Sequence, residues 1–126
     1  MTLFDECKAK LSDSLYLLEK PEKDRAITLL LSFLEKGYKY PRKELYKHRM
    51  NLDYRKLKDY ISFSNSDFYV LADIIDVPIF KTDINSIINN YDDITALCPV
   101  IFIFNEKFLL IPDFPTCNVN FYQLQG

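Results

Sequence analysis

Glycine is almost absent from this sequence. Only two glycines occur in 126 residues, Gly37 and the C-terminal Gly126. Loops that hold the phosphates of a nucleotide need several glycines, because only a backbone without a Cβ can approach the anion closely. The sequence therefore excludes the glycine-rich nucleotide-binding fingerprints.

Histidine and cysteine are also scarce. The only histidine is His48, and the three cysteines, Cys7, Cys98 and Cys117, lie far apart in the chain. Zinc sites are built from ligand pairs at short spacing, and nothing local suggests a Cys–His nucleophile. An odd number of scattered cysteines is typical of a reduced, cytosolic protein. We expect no metal site, no cofactor and no catalytic site, and hence a protein that is not an enzyme.

Long apolar segments are missing as well. The longest runs, such as residues 100–104, are far too short to cross a bilayer. Asp5 and Glu6 stand where a secretory signal would have basic and then apolar residues. These features predict a cytoplasmic protein without a membrane segment, and the length predicts one domain, 1–126.

Helical spacing of apolar residues dominates the first part of the chain. It predicts a first helix over residues 3–19, with Thr2 and Asp5 forming a capping box. A second helix should begin near Pro21 and end at Gly37. The short connection between them predicts an antiparallel αα-hairpin.

The middle of the chain is less clearly patterned. Residues 42–61 keep helical spacing and predict either two helices or one broken helix. Ser66 should cap a short helix over 67–76, and Thr82 or Asp83 should cap the next one.

The apolar pattern changes after Pro99. Residues 100–104 and 108–111 are β-branched and aromatic, with a short polar segment between them, which predicts a β-hairpin. Alternating residues around 119–125 predict a third strand. The expected fold class is α+β, with N-terminal helices (the αα-hairpin first) followed by a small antiparallel sheet that contains a C-terminal β-hairpin.

Charge is unevenly distributed along the chain. Residues 36–58 carry nine basic and two acidic side chains, a net charge of +7, whereas residues 59–126 carry a net charge of −7. Two interpretations fit this asymmetry. The protein binds a partner through one charged pole, or the two segments lie side by side and neutralise each other.

The basic segment contains interleaved tyrosines: Tyr38, Tyr40, Tyr46 and Tyr54, with Tyr60 just after it. Base stacking combined with phosphate attraction is how such a mixture would bind nucleic acid. An isoelectric point of about 5.4 and a strongly acidic second half argue against it. A nucleic-acid-binding or regulatory module that uses 36–58 is therefore the alternative hypothesis.

The acidic half predicts the leading site. Acidic and aromatic surfaces suit the binding of basic proteins, since opposite charges steer the encounter and tyrosine supplies rigid contact area. A nuclease toxin is such a partner, although an ordinary solvated face would explain the same aspartates. The predicted partner-binding residues are Asp73, Asp76, Asp83, Tyr91, Asp92, Asp93, Glu106 and Asp113.

With its small size, acidic isoelectric point and lack of catalytic motifs, the chain resembles the small immunity proteins of bacterial contact-dependent growth inhibition and related toxin systems. The acidic stretch Asn89-Asn-Tyr-Asp-Asp93 beside the apolar hairpin fits this overall character, and no specific motif carries the resemblance. The resemblance implies a cognate toxin that is bound tightly in the cytoplasm, with its active site blocked and no reaction performed. It carries over no site residues and leaves the oligomeric state open.

Overall fold

A computed structural model describes residues 2–35, 41–46, 49–61, 66–113 and 116–123. In these ranges the helices are α1 (Leu3–Leu11), α2 (Lys20–Phe33), α3 (Lys43–Tyr46), α4 (Ile84–Asn89) and α5 (Tyr91–Thr95). The strands are β1 (Tyr16–Leu17), β2 (Met50–Asp53), β3 (Asp67–Ala72), β4 (Phe80–Asp83), β5 (Ile101–Phe104), β6 (Phe108–Pro112) and β7 (Asn118–Gln123). Two 3-10 helices, Ser12–Ser14 and Tyr54–Asp59, complete the described elements.

The strands form one antiparallel sheet in the order β1-β4-β3-β5-β6-β7-β2. β5 lies at its centre, and all four of its residues are buried. The sequence of a strand that is covered on both faces is a continuous apolar run, and for this reason β5 has no alternating polar residues.

The sheet separates two hydrophobic cores. Phe68 and Val70 of β3 point to the face that α1, α4, α5 and the second 3-10 helix cover. Tyr69 and Leu71, the alternate residues of the same strand, point to the face that α2 covers. The result is three layers, with the sheet in the middle.

The predicted α+β class is confirmed, and so is the hairpin, which β5 and β6 form. Asn105 fixes its turn, because its Oδ1 accepts hydrogen bonds from the backbone of Lys107 (2.8 Å) and Phe108 (2.9 Å). The third strand is confirmed as β7, and its predicted continuation to 125 lies outside the described residues. The sheet is larger than expected, since β1, β2, β3 and β4 join the three predicted strands.

The expected αα-hairpin needs correction. The capping box of Thr2 and Asp5 forms, but α1 ends at Leu11, where Ser12 takes a positive φ of 52° and turns the chain into β1. Cys7 of α1 is buried in one core and Leu30 of α2 in the other. The two helices therefore lie on opposite faces of the sheet and do not pack as a hairpin.

One further helix prediction is wrong, and another holds only in part. Residues 67–76 form β3 and the loop after it, because side chains buried on both faces also satisfy helical spacing. Residues 42–61 contain α3, β2 and a 3-10 helix, since β2 pairs with β7 rather than continuing a helix. By contrast, Asp83 caps α4 as predicted, and its side chain accepts a hydrogen bond from the Ser86 amide.

Helix α2 begins where predicted, with Pro21 in its first turn. It ends at Phe33, and extended Leu34 then bridges to Pro41. The predicted cap at Gly37 lies outside the described residues. The apolar face of α2, with Ala26, Leu30 and Phe33, supplies its core contacts.

Candidate functional site

Three of the predicted binding residues lie at the same end of the sheet. β3 and β6 run in the same direction because each pairs antiparallel with β5 between them. Asp73 follows the last residue of β3, and Asp113 follows the last residue of β6. Asp76 lies in the β3–β4 loop at this same end, and all three side chains are exposed. We call Asp73, Asp76 and Asp113 the acidic end.

Two other predicted residues lie at the opposite end of the sheet. Asp83 ends β4, and Glu106 lies in the β5–β6 turn. The Asp83 carboxylate is engaged within the fold, since it accepts hydrogen bonds from the Ser86 amide (2.8 Å) and the Ser86 hydroxyl (3.0 Å). Glu106 is exposed. The fold does not bring these two carboxylates to the acidic end.

Asp92 and Asp93 belong to α5, which lies over one face of the sheet. Asp92 is exposed, whereas an Asp93 carboxylate oxygen lies 3.4 Å from the Nζ of Lys10 on α1. This ion pair joins the two helices that cover the same face. It also shows that some acidic charge of the second half is balanced by the first helix.

Tyr91 is a core residue, which corrects its predicted place on a binding surface. Its side chain is 4% exposed, and its ring stacks on Tyr54 with centroids 4.1 Å apart and planes 2° from parallel. Its hydroxyl is buried without a hydrogen-bond partner in the part of the chain that the structure describes. Burial raises the pKa of this phenol, so it stays neutral at physiological pH.

The β3–β4 loop supplies a surface feature that the sequence patterns did not predict. It joins Ala72 to Phe80 and exposes two neighbouring isoleucines, Ile74 and Ile75, between Asp73 and Asp76. Helical spacing predicts Ile75 on the inner face of a helix over 67–76, whereas in the structure its side chain is exposed to solvent. An Asp-Ile-Ile-Asp sequence followed closely by Val-Pro was the available turn signal.

The basic segment is only partly described. Arg55 holds the Asp53 carboxylate, with Nη2 and Oδ2 2.6 Å apart, and the pKa of Asp53 is well below its usual range because of these hydrogen bonds. The ring of Tyr54 already stacks on Tyr91 and is not available to stack on a base, whereas Tyr60 is 49% exposed. The following residues of the proposed stacking surface lie outside the described ranges or have undescribed side chains: Lys36, Tyr38, Lys39, Tyr40, Tyr46, Lys47 and His48.

Within the described ranges, no group of three or more His, Cys, Asp or Glu side chains is arranged to hold a metal ion. Among the same residues, no helix is long and apolar enough to cross a membrane. Cys7 is fully buried, and burial raises the pKa of its thiol to about 11, so it remains protonated at neutral pH.

The exposed acidic and apolar side chains at one end of the sheet would suit a basic protein partner. A family model described as "CdiI immunity protein EcoliA0-like" matches residues 1–122. The chain belongs to this family, and the predicted resemblance is confirmed. It is an immunity protein of contact-dependent growth inhibition and neutralises a cognate toxin. No curated protein matches the chain.

Proposed function

We propose that this immunity protein acts in the cytoplasm on a nuclease toxin, that it covers the active site of the toxin, and that it catalyses no reaction itself. One observation carries the nuclease assignment. The fold collects exposed Asp73, Asp76 and Asp113, from distant parts of the sequence, at one end of the sheet.

The chemistry of a nuclease supports this assignment. Its substrate is a polyanion, so its substrate groove must be positively charged. An acidic protein surface is attracted to the same groove and accelerates association. A partner that occupies the groove also excludes the substrate, so binding and inhibition follow from the same contacts.

The remaining predicted contacts are placed differently. Asp83 and Glu106 lie at the other end of the sheet, and Asp92 and Asp93 lie on α5. They stay predictions, and the acidic end is the surface that we propose to contact the groove.

The first test concerns the activity of the toxin. The proposal predicts that a gene beside this one encodes the toxin domain. We expect that domain, once purified, to cleave labelled RNA or DNA, and an equimolar amount of the immunity protein to stop the cleavage. A toxin domain that binds but cleaves neither nucleic acid would show that the nuclease assignment is wrong. A complex that still cleaves would show that the active site is not covered.

The second test concerns the acidic end. The double variant Asp76→Lys/Asp113→Lys should associate with the toxin at least about tenfold more slowly at low salt, because the attraction that steers the encounter is reversed. The matched control is Asp13→Lys/Asp67→Lys, which changes the charge equally in the turn after α1 and at the opposite end of the sheet. Stopped-flow association rates at several salt concentrations give the comparison. Equal slowing by both variants would assign the effect to net charge rather than to the acidic end.

A further inference from the structure

The β3–β4 loop presents an isoleucine almost completely to solvent. Ile75 is 97% exposed and Ile74 is 44% exposed. Ile75 is the most exposed of the large apolar side chains that the structure describes. Single exposed apolar residues are common, but two neighbouring ones at a loop tip form a contiguous apolar surface.

The loop is held in place by its own backbone and by the core. The amide of Val77 donates to the Ile74 carbonyl (3.3 Å), which closes a turn with Ile75 at its corner. At the start of the loop, the amide of Asp73 donates to the Val100 carbonyl (2.9 Å). At its end, Val77 packs against the core and Ile79 is buried. The tip is thus preorganised, which reduces the ordering entropy lost on binding.

The surroundings of the tip define what it would bind. Exposed Asp73 and Asp76 stand on either side of the two isoleucines. Leu71, Pro78 and one cation, Lys23 of α2, line a groove next to the loop, so the two carboxylates outnumber the basic side chains there. An apolar tip between carboxylates is complementary to an apolar pocket bordered by lysine or arginine.

We infer that Ile75 is the main anchor of this protein on its toxin, and that it inserts into an apolar pocket at the edge of the basic groove of the toxin. This inference rests on the proposed function. Ile75 would act as a hot spot, a well-packed residue that loses its water on binding, while Asp73 and Asp76 orient the loop. The partner is therefore a basic protein surface with one apolar depression.

The test compares substitutions of exposed apolar residues. Ile75→Ala should weaken binding to the purified neighbouring toxin domain about ten- to a hundred-fold, mainly through faster dissociation. Ile75→Val keeps most of the apolar volume and should stay within a few-fold of the natural protein. Leu31→Ala, on α2 and 60% exposed, is the matched control and should leave the affinity for the toxin unchanged. Surface plasmon resonance gives the affinity and the dissociation rate of the natural protein and the three variants.

Folding does not complicate this test, because Ile75 makes almost no contact within the protein. Far-UV circular dichroism and thermal melting should be unchanged in Ile75→Ala. If the natural protein binds the toxin and Ile75→Ala binds it equally well, Ile75 is not the anchor, while the proposed function stands. If the natural protein does not bind this toxin, the proposed function is wrong, and so is the inference that Ile75 anchors the protein on the toxin.

A second copy of this chain is the competing occupant of the loop. Light scattering on the natural protein and on Ile75→Ala separates the two cases. A monomer in both supports the toxin as the partner. A dimer that Ile75→Ala converts to a monomer would make the loop a self-association surface and overturn the inference.

Discussion

Tyr91 combines a favourable ring position with an unfavourable hydroxyl position. Its ring stacks on Tyr54, and an aromatic pair contributes about 0.5–1.5 kcal/mol beyond the area that it buries. Its hydroxyl is buried without a partner among the described residues, which costs about 1–3 kcal/mol. Burial of the ring therefore offsets the loss of hydration at the oxygen.

Replacing Tyr91 with phenylalanine should raise the free energy of unfolding by about 1 kcal/mol, because the ring stays and the unpaired oxygen is removed. Tyr54→Phe, which removes the hydroxyl of a half-buried ring, is the control and should have little effect. Urea denaturation gives both values. A less stable Tyr91→Phe protein would mean that the hydroxyl has a partner. Binding of the toxin should be unaffected, because Tyr91 lies in the core.

At the scale of the elements, the end of α1 depends on one residue. Ser12 has φ 52° and ψ −124°, a conformation that favours glycine. Its amide donates to the Lys8 carbonyl, and its own carbonyl accepts from Leu15 (3.2 Å). These bonds hold the strained residue and direct the chain from α1 into β1.

Ser12→Gly should therefore stabilise the protein by about 0.5–1 kcal/mol, since the relief of backbone strain exceeds the added entropy of the unfolded chain. Asp13→Gly, at the next position, is the control. Asp13 lies in a 3-10 helix with ordinary dihedral angles, so glycine there should destabilise. Thermal unfolding of the two variants shows the difference, and a destabilising Ser12→Gly would contradict the expected strain.

Prediction of the elements succeeded where local signals agreed with the fold. Both strands of the β5–β6 hairpin are β-branched and aromatic, Pro99 precedes the first strand and Asn105 begins the turn, so the strands are recognisable in the sequence. The spacing of Phe68, Leu71 and Ala72 also fits a helix, because β3 packs on both faces of the sheet and its sequence has no polar residue between Phe68 and Ala72 except Tyr69. β1 has only two residues and forms by pairing with β4, which no local pattern reveals.

The candidate site was predictable in its chemistry but not in its geometry. The separation of charge is visible in the sequence, and so is the abundance of aspartate in the second half. Which carboxylates share a surface depends on strand order. Asp73 and Asp113 meet at one end only because β5 lies between β3 and β6. The charged neighbours Asp92 and Asp93 favour a surface position for Tyr91 in the sequence, whereas the fold turns its ring into the core.

At the scale of the whole molecule, Glu22 connects α2 to the sheet. Its Oε2 accepts hydrogen bonds from the Lys81 Nζ on β4 (3.2 Å) and from the Tyr69 hydroxyl on β3 (3.3 Å). The hydrogen bond from Lys81 is the main reason why the pKa of Glu22 lies below its usual value. This contact ties two layers of the fold together at one side of the sheet.

Glu22→Gln should lower the free energy of unfolding by about 0.5 kcal/mol at pH 7, a typical value for a partly exposed ion pair. Because the pKa of Glu22 is lower in the folded than in the unfolded protein, its ionised carboxylate stabilises the fold at pH values above the unfolded pKa of about 4.3. This contribution is lost as the pH falls through the folded-state pKa. Urea denaturation at pH 7 and at pH 3 should thus show a difference between the natural protein and Glu22→Gln that shrinks in acid.

The exposed carboxyl of Glu106 provides the control, since Glu106→Gln should change the stability little at either pH. If the difference caused by Glu22→Gln persisted undiminished at pH 3, packing rather than ionisation would be its source.

The position of Ile74, Ile75 and Asp76 outside both cores has an evolutionary consequence. Substitutions at these positions should leave the sheet and its two helical layers intact, because neither core includes the three side chains. On the proposed mode of binding, mutations in this loop change which toxin is recognised without a loss of stability. Immunity proteins with this fold can thus adapt to a changed toxin through a few substitutions in the β3–β4 loop, while the sheet and its helices stay the same.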